Sequence, residues 1–378
     1  MMQTPRSIIY LVAALLLIPE THGQAPTKGD GESQEPVQVE TSNWITSIAQ
    51  VGDRDLFVAA TANGLLMQPA GVESFSADSP EARTLLYSHP AAVWAVSSTP
   101  NGETIASVDY RGNLATYQVA NQEFKIHENA LERWCQTLIT EPSNALVIAG
   151  NEAGKILVWD LAQSNVSASV ELDGNAITGL VISPDHQQLA ASDGSGQVHL
   201  LKWPSLEIIG KSKISESPAW SIAYVPAGNQ LIVGCGDNKL YRVENQPDAK
   251  AEVIATGNDW FTKLAVSVTG TIAAGEVSGE LLLLSDSNSP SAMQKTFTSK
   301  SGVWSLYWNG DQELLVGTRK HNISKLGRSW DWVPETQNTE KENATDETTS
   351  GETTEAKPEE TESPKAVEEK PQENAEPK

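Results

Sequence analysis

A chain of 378 residues has room for one large domain with tails or for two ordinary domains. Its 49 Asp+Glu against 26 Lys+Arg give a formal charge of −23, and such an acidic body lacks the Lys/Arg patch that phosphates demand, so no nucleic acid is expected as a partner. Part of the charge is local, because residues 335–378 hold 14 Asp+Glu and 5 Lys, or −9 of the total.

The N-terminus, "MMQTPRSIIYLVAALLLIPETHGQAP", has Arg6 ahead of an eleven-residue apolar run, Ile8 to Ile18, closed by Pro19. Small residues at Thr21 and Gly23 suit cleavage before Gln24, the pattern of a signal peptide over residues 1–23. A spanning helix needs roughly 20 apolar residues. The expectation is therefore a secreted or periplasmic protein with no stable membrane insertion after cleavage. Residues 24–35, rich in Gly, Pro and polar residues, read as a flexible linker.

Residues 36–334 repeat with a period near 42. Pro100, Pro142, Pro184 and Pro226 are evenly spaced by 42. Turn residues follow at Gly64, Gly112, Gly154, Gly196, Asn238, Gly279 and Asn322, with steps of 48, 42, 42, 42, 41 and 43. Only Gly and Asn appear there, the two residue types that best tolerate positive φ, so each marks a tight hairpin. Each copy holds four short β-type runs, such as "RTLLYS", "AVWAVSS", "ETIASV" and "NLATYQV". Four strands per unit of 40 to 45 residues predict an all-β, seven-bladed β-propeller of four-stranded antiparallel blades. "VQVETSNWI" repeats the order of an outer strand followed by an inner one, so Val37 to Glu40 is expected to complete the last blade and leave no open sheet edge.

Beyond the last copy, "SWDWVPE" places Trp330 and Trp332 on alternate positions, fit to pack a short strand against the propeller. Residues 335–378 are Glu, Thr, Pro and Lys with almost nothing to bury, and are expected to stay disordered.

The repeats resemble the WD-repeat family. The third copy carries the Trp159-Asp160 dipeptide in "KILVWD", and "SHPAAVWAVSSTPNG" follows the family outline of His, Val and Pro-x-Gly. The motifs are degenerate. Only His89 stands in the usual His place and only Asp237 in the acidic position before the hairpin, so the family's hydrogen-bonded network is expected to be mostly missing.

The innermost strands do not alternate evenly. A first apolar column, Ile45, Val93, Cys135, Ile177, Ala219, Phe261 and Val303, is followed three residues on by Ile48, Val96, Leu138, Leu180, Ile222, Leu264 and Leu306. Two further on stands a third, more mixed column. A gap of three and then of two implies one inserted residue, a β-bulge, at the start of each strand. The neighbours of that column are tryptophans. Trp44, Trp134 and Trp260 precede it by one residue, and Trp94, Trp220 and Trp304 follow it by one. The fourth copy, with Ala176 and Thr178, has none. Six indoles should therefore gather about one mouth of the central channel, either as a binding surface or as a plug packed between blades. The resemblance implies that these two places lie on the propeller's top face, where partners are often contacted.

Catalytic and metal chemistry find little support. No two of the six His residues have metal-pair spacing, no C-x-x-C or H-E-x-x-H occurs, and no G-x-S-x-G elbow is present. Cys135 and Cys235 lie two repeats apart and are expected to be buried free thiols. The expected function is a non-enzymatic scaffold, without cofactor, holding a protein or peptide on the Trp-lined face, because indoles offer large contact area at little rotamer cost. A carbohydrate-binding propeller is the alternative, since indole faces stack on sugars, and an enzyme with its site in the channel comes third.

Overall fold

Each apolar run bounded by turn residues becomes one strand of a sheet that is contiguous in sequence. A computed structural model describes residues 43–226, 229–284, 294–299, 301–311, 313–320 and 322–327. The signal peptide, the linker, the strand expected at Val37 to Glu40, the Trp330/Trp332 segment and the acidic tail lie outside the described residues.

Blade 1 comprises Trp44–Gln50, Phe57–Ala62, Ala70–Ser76 and Ser79–His89, paired antiparallel in that order. Five further four-stranded sheets follow, with inner strands Val93–Ser98, Cys135–Thr140, Ile177–Ile182, Ala219–Tyr224 and Phe261–Val266. Blade 7 begins with Val303–Asn309 and shows three strands among the described residues. Each sequence copy thus starts one strand early, because "RTLLYS" belongs to the outer strand of blade 1 and not to blade 2. The longer first step, 48 instead of 42, is absorbed by the extended outer hairpin of blade 1, whose pairing is irregular at Val72/Glu73 and Ser74/Ser76.

Consecutive inner strands lie side by side, and Trp44–Gln50 also touches Val303–Asn309, so the seven close into a ring. Tyr307 of blade 7 donates to Gln50 Oε1 of blade 1 across that closure, at 3.1 Å. The hairpin residues are left-handed as expected, with φ between 64° at Asn238 and 98° at Gly279 in the first six blades.

All seven expected bulges are present. Pairing with the second strand skips one residue at Thr46, Trp94, Gln136, Thr178, Trp220, Thr262 and Trp304. The first column is sealed, with every member at 0–1% exposure, and it wedges into the neighbouring blade. A Cβ on Gly275 would fall 2.3 Å from Val303 Cγ1, and one on Gly317 would fall 2.5 Å from Ile45 Cγ2. At these two places glycine is required by the close approach of the next sheet, with no positive φ involved.

One expectation is revised: the hydrogen-bonded network is fuller than the motifs suggest. Asp237, directly before its turn residue, accepts from Ser215 Oγ (3.0 Å) and Tyr241 Oη, while Asp109 and Asp193, three positions before their turn glycines, carry a second arrangement. Asp109 Oδ1 accepts the Arg111 and Asn113 N–H groups, and Asp193 Oδ1 accepts those of Ser195 and Gln197. His89 bridges Asp109 (3.2 Å) and Ser107 (2.8 Å), and His199 meets Asp193 at 2.9 Å. The network is present in blades 2 and 4. Burial opposes ionisation of both carboxyls, yet the His, Asn113, Ser195 and backbone hydrogen bonds outweigh it and hold them below the ordinary carboxylate value. Ser107, His89 and Asp109 stand in the order of a hydrolase triad. None exposes more than 1% of its surface and Tyr87 Oη lies 3.0 Å from Ser107 Oγ, so the arrangement cross-links strands and offers nothing to a substrate. The two cysteines are free and buried.

Candidate binding face

The bulge decides where the indoles go. It rotates the bulged residue and the residue before the first column toward the channel axis, at the end of the ring where the inner strands begin. On that face the six tryptophans form three pairs, each joining a bulged Trp to the preceding-position Trp of the next blade. Trp304 stacks on Trp44 (5.5 Å, 22°), Trp94 tilts against Trp134 (5.2 Å), and Trp220 stacks on Trp260 (6.3 Å, 19°). Trp94 and Trp304 also meet edge-on at 6.3 Å, linking two of the pairs across blade 1. Arg319 lies 4.6 Å over the Trp44 ring, and Tyr110 flanks Trp134 at 4.9 Å.

Exposure divides the set. Trp44, Trp94 and Trp134 are 3–5% exposed and form an apolar cluster with Ala62 and Ala92, while Trp220, Trp260 and Trp304 are half-buried. Trp94, Trp220, Trp260 and Trp304 line an open cavity at the mouth with Thr46, Gln136, Thr178, Thr262, Lys263 and Val277. The loop between the second and third strands of blade 1 extends this apolar area. Its Leu66 packs on the indole cluster, while Leu65 and Met67 stand exposed beside it.

The indole N–H groups of Trp94, Trp134, Trp220 and Trp304 are sealed from solvent with no acceptor among the described residues. A buried, unsatisfied donor costs on the order of 1–3 kcal/mol. The core indole of Trp159 shares this feature.

Where the bulge carries no Trp it carries a hydroxyl in blades 1, 4 and 6, which sequence reasoning missed. Thr46 Oγ1 donates to Val93 O (2.6 Å), Thr262 Oγ1 to Val303 O (2.6 Å), and Thr178 Oγ1 to Ala219 O. Each acceptor is the first-column carbonyl of the next blade, and each of those blades has Trp at its own bulge. The signal is readable in the repeat alignment: Thr occupies the bulge in the copy immediately before every bulged Trp, whereas Gln136 of blade 3 precedes Thr178.

One residue further along, Ser47, Thr137, Gly179, Ser221, Lys263 and Ser305 line a polar cavity deeper in the channel. Ser221 Oγ accepts the Leu264 N–H at 3.0 Å and keeps its own proton free. Lys263 is enclosed by the ring yet touches channel space, and burial pushes its ammonium down to about 8 from 10.5. Among the described residues no group of three or more His, Cys, Asp or Glu is placed to hold a metal ion.

Seven antiparallel sheets set round a channel, inner strands innermost, define a seven-bladed β-propeller. No family model matches the chain. Over 210 residues it is 23% identical to a WD repeat-containing protein 55 homolog of Drosophila yakuba, a stretch covering 54% of this chain and 40% of that protein. The chain thus spans about two fifths of that relative's length. With the seven-bladed ring and the Trp159-Asp160 dipeptide, this match supports a likeness to WD-repeat propellers, with degenerate repeats.

Proposed function

We propose that the chain is an exported, non-enzymatic scaffold that holds a protein or peptide on the Trp-bearing face. The observation that carries this reading is the convergence of six indoles at one mouth, three of them half-buried, with Leu65 and Met67 exposed alongside. Tryptophan concentrates binding energy where it is partly desolvated in advance and loses little rotamer freedom on contact. Export rests on the N-terminal segment, whose removal should leave Gln24 as the first residue of protein recovered outside the cytoplasm.

Arrays of peptides and of soluble glycans, probed with the intact protein and with Trp260→Ala and Trp304→Ala, test the reading. Peptide binding that falls at least about tenfold in both variants supports it. Glycan binding lost in the same variants, with no peptide retained, would give the face to carbohydrate instead.

A further inference from the structure

Lys263 is the single ionisable residue among those lining the two channel cavities. No carboxylate lies within ion-pair distance of its ammonium among the described residues, and no hydrogen bond engages Nζ. In a protein of charge −23, where other lysines such as Lys155, Lys202 and Lys211 have found carboxylates, this cation stands without a counterion. Its neighbours are chosen from donors. Ser221, Lys263 and Ser305 occupy the same place in three consecutive blades, spaced by 42 and 42, so ring closure sets the ammonium between two hydroxyls on one level of the wall. Ser221 has a free proton because its oxygen serves as an acceptor, and both serines are largely buried. Above them the same lysine borders the indole-lined cavity of Trp94, Trp220, Trp260 and Trp304.

We propose that the channel is a carboxylate site, in which Lys263 with Ser221 and Ser305 takes one carboxylate while the apolar group attached to it rests on the indoles above. A single ammonium balances a monoanion. A phosphate dianion would leave net negative charge in the enclosure, which burial penalises. The carboxylate belongs either to a small free acid or to the C-terminus of a peptide. The second source deepens the peptide-binding reading and rests on it, whereas the first does not.

The lowered ammonium supplies a signature. Only the protonated form pairs with an anion, so affinity should decline as pH rises through about 8. The strands packed against Lys263 carry Tyr224, Glu276 and Tyr307, none of which borders either cavity, and Glu276 is engaged by the Asn258 and Asp259 N–H groups.

Isothermal titration of the intact protein with phenylacetate and phenylacetamide, and with a Phe-terminated peptide bearing a free or an amidated C-terminus, tests the site. Phenylacetate or the free-acid peptide should bind, the amides at least about tenfold more weakly. Lys263→Met, which keeps length and packing, should abolish that difference, and Ser221→Ala with Ser305→Ala should weaken the acids by about threefold each. Urea unfolding of each variant checks that the ring is intact. Phenylacetate bound through Lys263 with neither peptide bound keeps the site and removes the peptide scaffold. Peptide bound equally as acid or amide, and equally by Lys263→Met, keeps the scaffold and ends the site. Absence of acid binding at roughly millimolar concentration ends it too.

Discussion

The threonine bridges between blades lend themselves to a quantitative test. Thr46, Thr178 and Thr262 each donate to a neighbouring blade's first-column carbonyl, at the residue directly before that blade's bulge. Replacing each by Val keeps the β-branched shape and the strand preference and removes only the donor. A buried acceptor left alone costs about 1–3 kcal/mol. All three positions border the channel cavity, so water can reach part of the freed carbonyl and pull the cost toward about 1 kcal/mol. Exposure ranks them: Thr46 at 2%, Thr178 at 4% and Thr262 at 8% predict losses falling in that order. The sites are in blades 1, 4 and 6 and share no partner, so the triple variant should lose roughly the sum, about 3–5 kcal/mol. Gln136→Ala, at the same bulge with no such bond, should change stability by under about 0.5 kcal/mol. Urea unfolding followed by far-ultraviolet circular dichroism reads all five variants. Equal midpoints for Thr46→Val and Gln136→Ala would mean that the bridges contribute nothing and that packing alone fastens blade to blade.

Two other outcomes follow from the fold. Asp109 and Asp193 titrate below the ordinary carboxyl value, so the unfolded chain takes up protons first as pH falls; their contribution is complete above about pH 4 and is lost below it as the folded values are crossed. Asp193→Asn should flatten the loss of urea resistance on acidification, and an unchanged slope would show that this carboxylate is not the source. Gly196 holds φ at 81°, and a Cβ there would lie 2.2 Å from Ser215 O; Gly196→Ala should cost more than about 2 kcal/mol, whereas Gly64→Ala, with open space around it, should cost about 1 kcal/mol from φ alone. Similar midpoints for the two variants would contradict that ranking.

Much of this architecture is legible in the residues, and the parts that are not have identifiable causes. Seven turn residues and the three-then-two spacing yield the blade count and all seven bulges, because both follow from backbone geometry that sequence spacing preserves. The meeting of the six indoles follows from the same bulges. Their unequal exposure does not, since it depends on packing across blades: Trp304 stacks on Trp44 and Trp94 tilts against Trp134 within one cluster, while Trp220 packs only at that cluster's edge and Trp260 stacks on Trp220. Asp109 and Asp193 pass unnoticed because their role depends on His89 and His199, which reach them from other strands. Lys263 draws no notice in the sequence because a lysine in a strand ordinarily points to solvent, and only ring closure turns that position inward.

The missing indole in blade 4 removes rotational sameness from an otherwise repetitive ring. With indole pairs at blades 2 and 3, 5 and 6, and 7 and 1, a guest entering the mouth meets a different wall in every direction. A guest bound there as proposed would settle off the axis, in one pose and at one copy per ring, so that the pseudo-symmetry of the frame would not become ambiguity in how it is held.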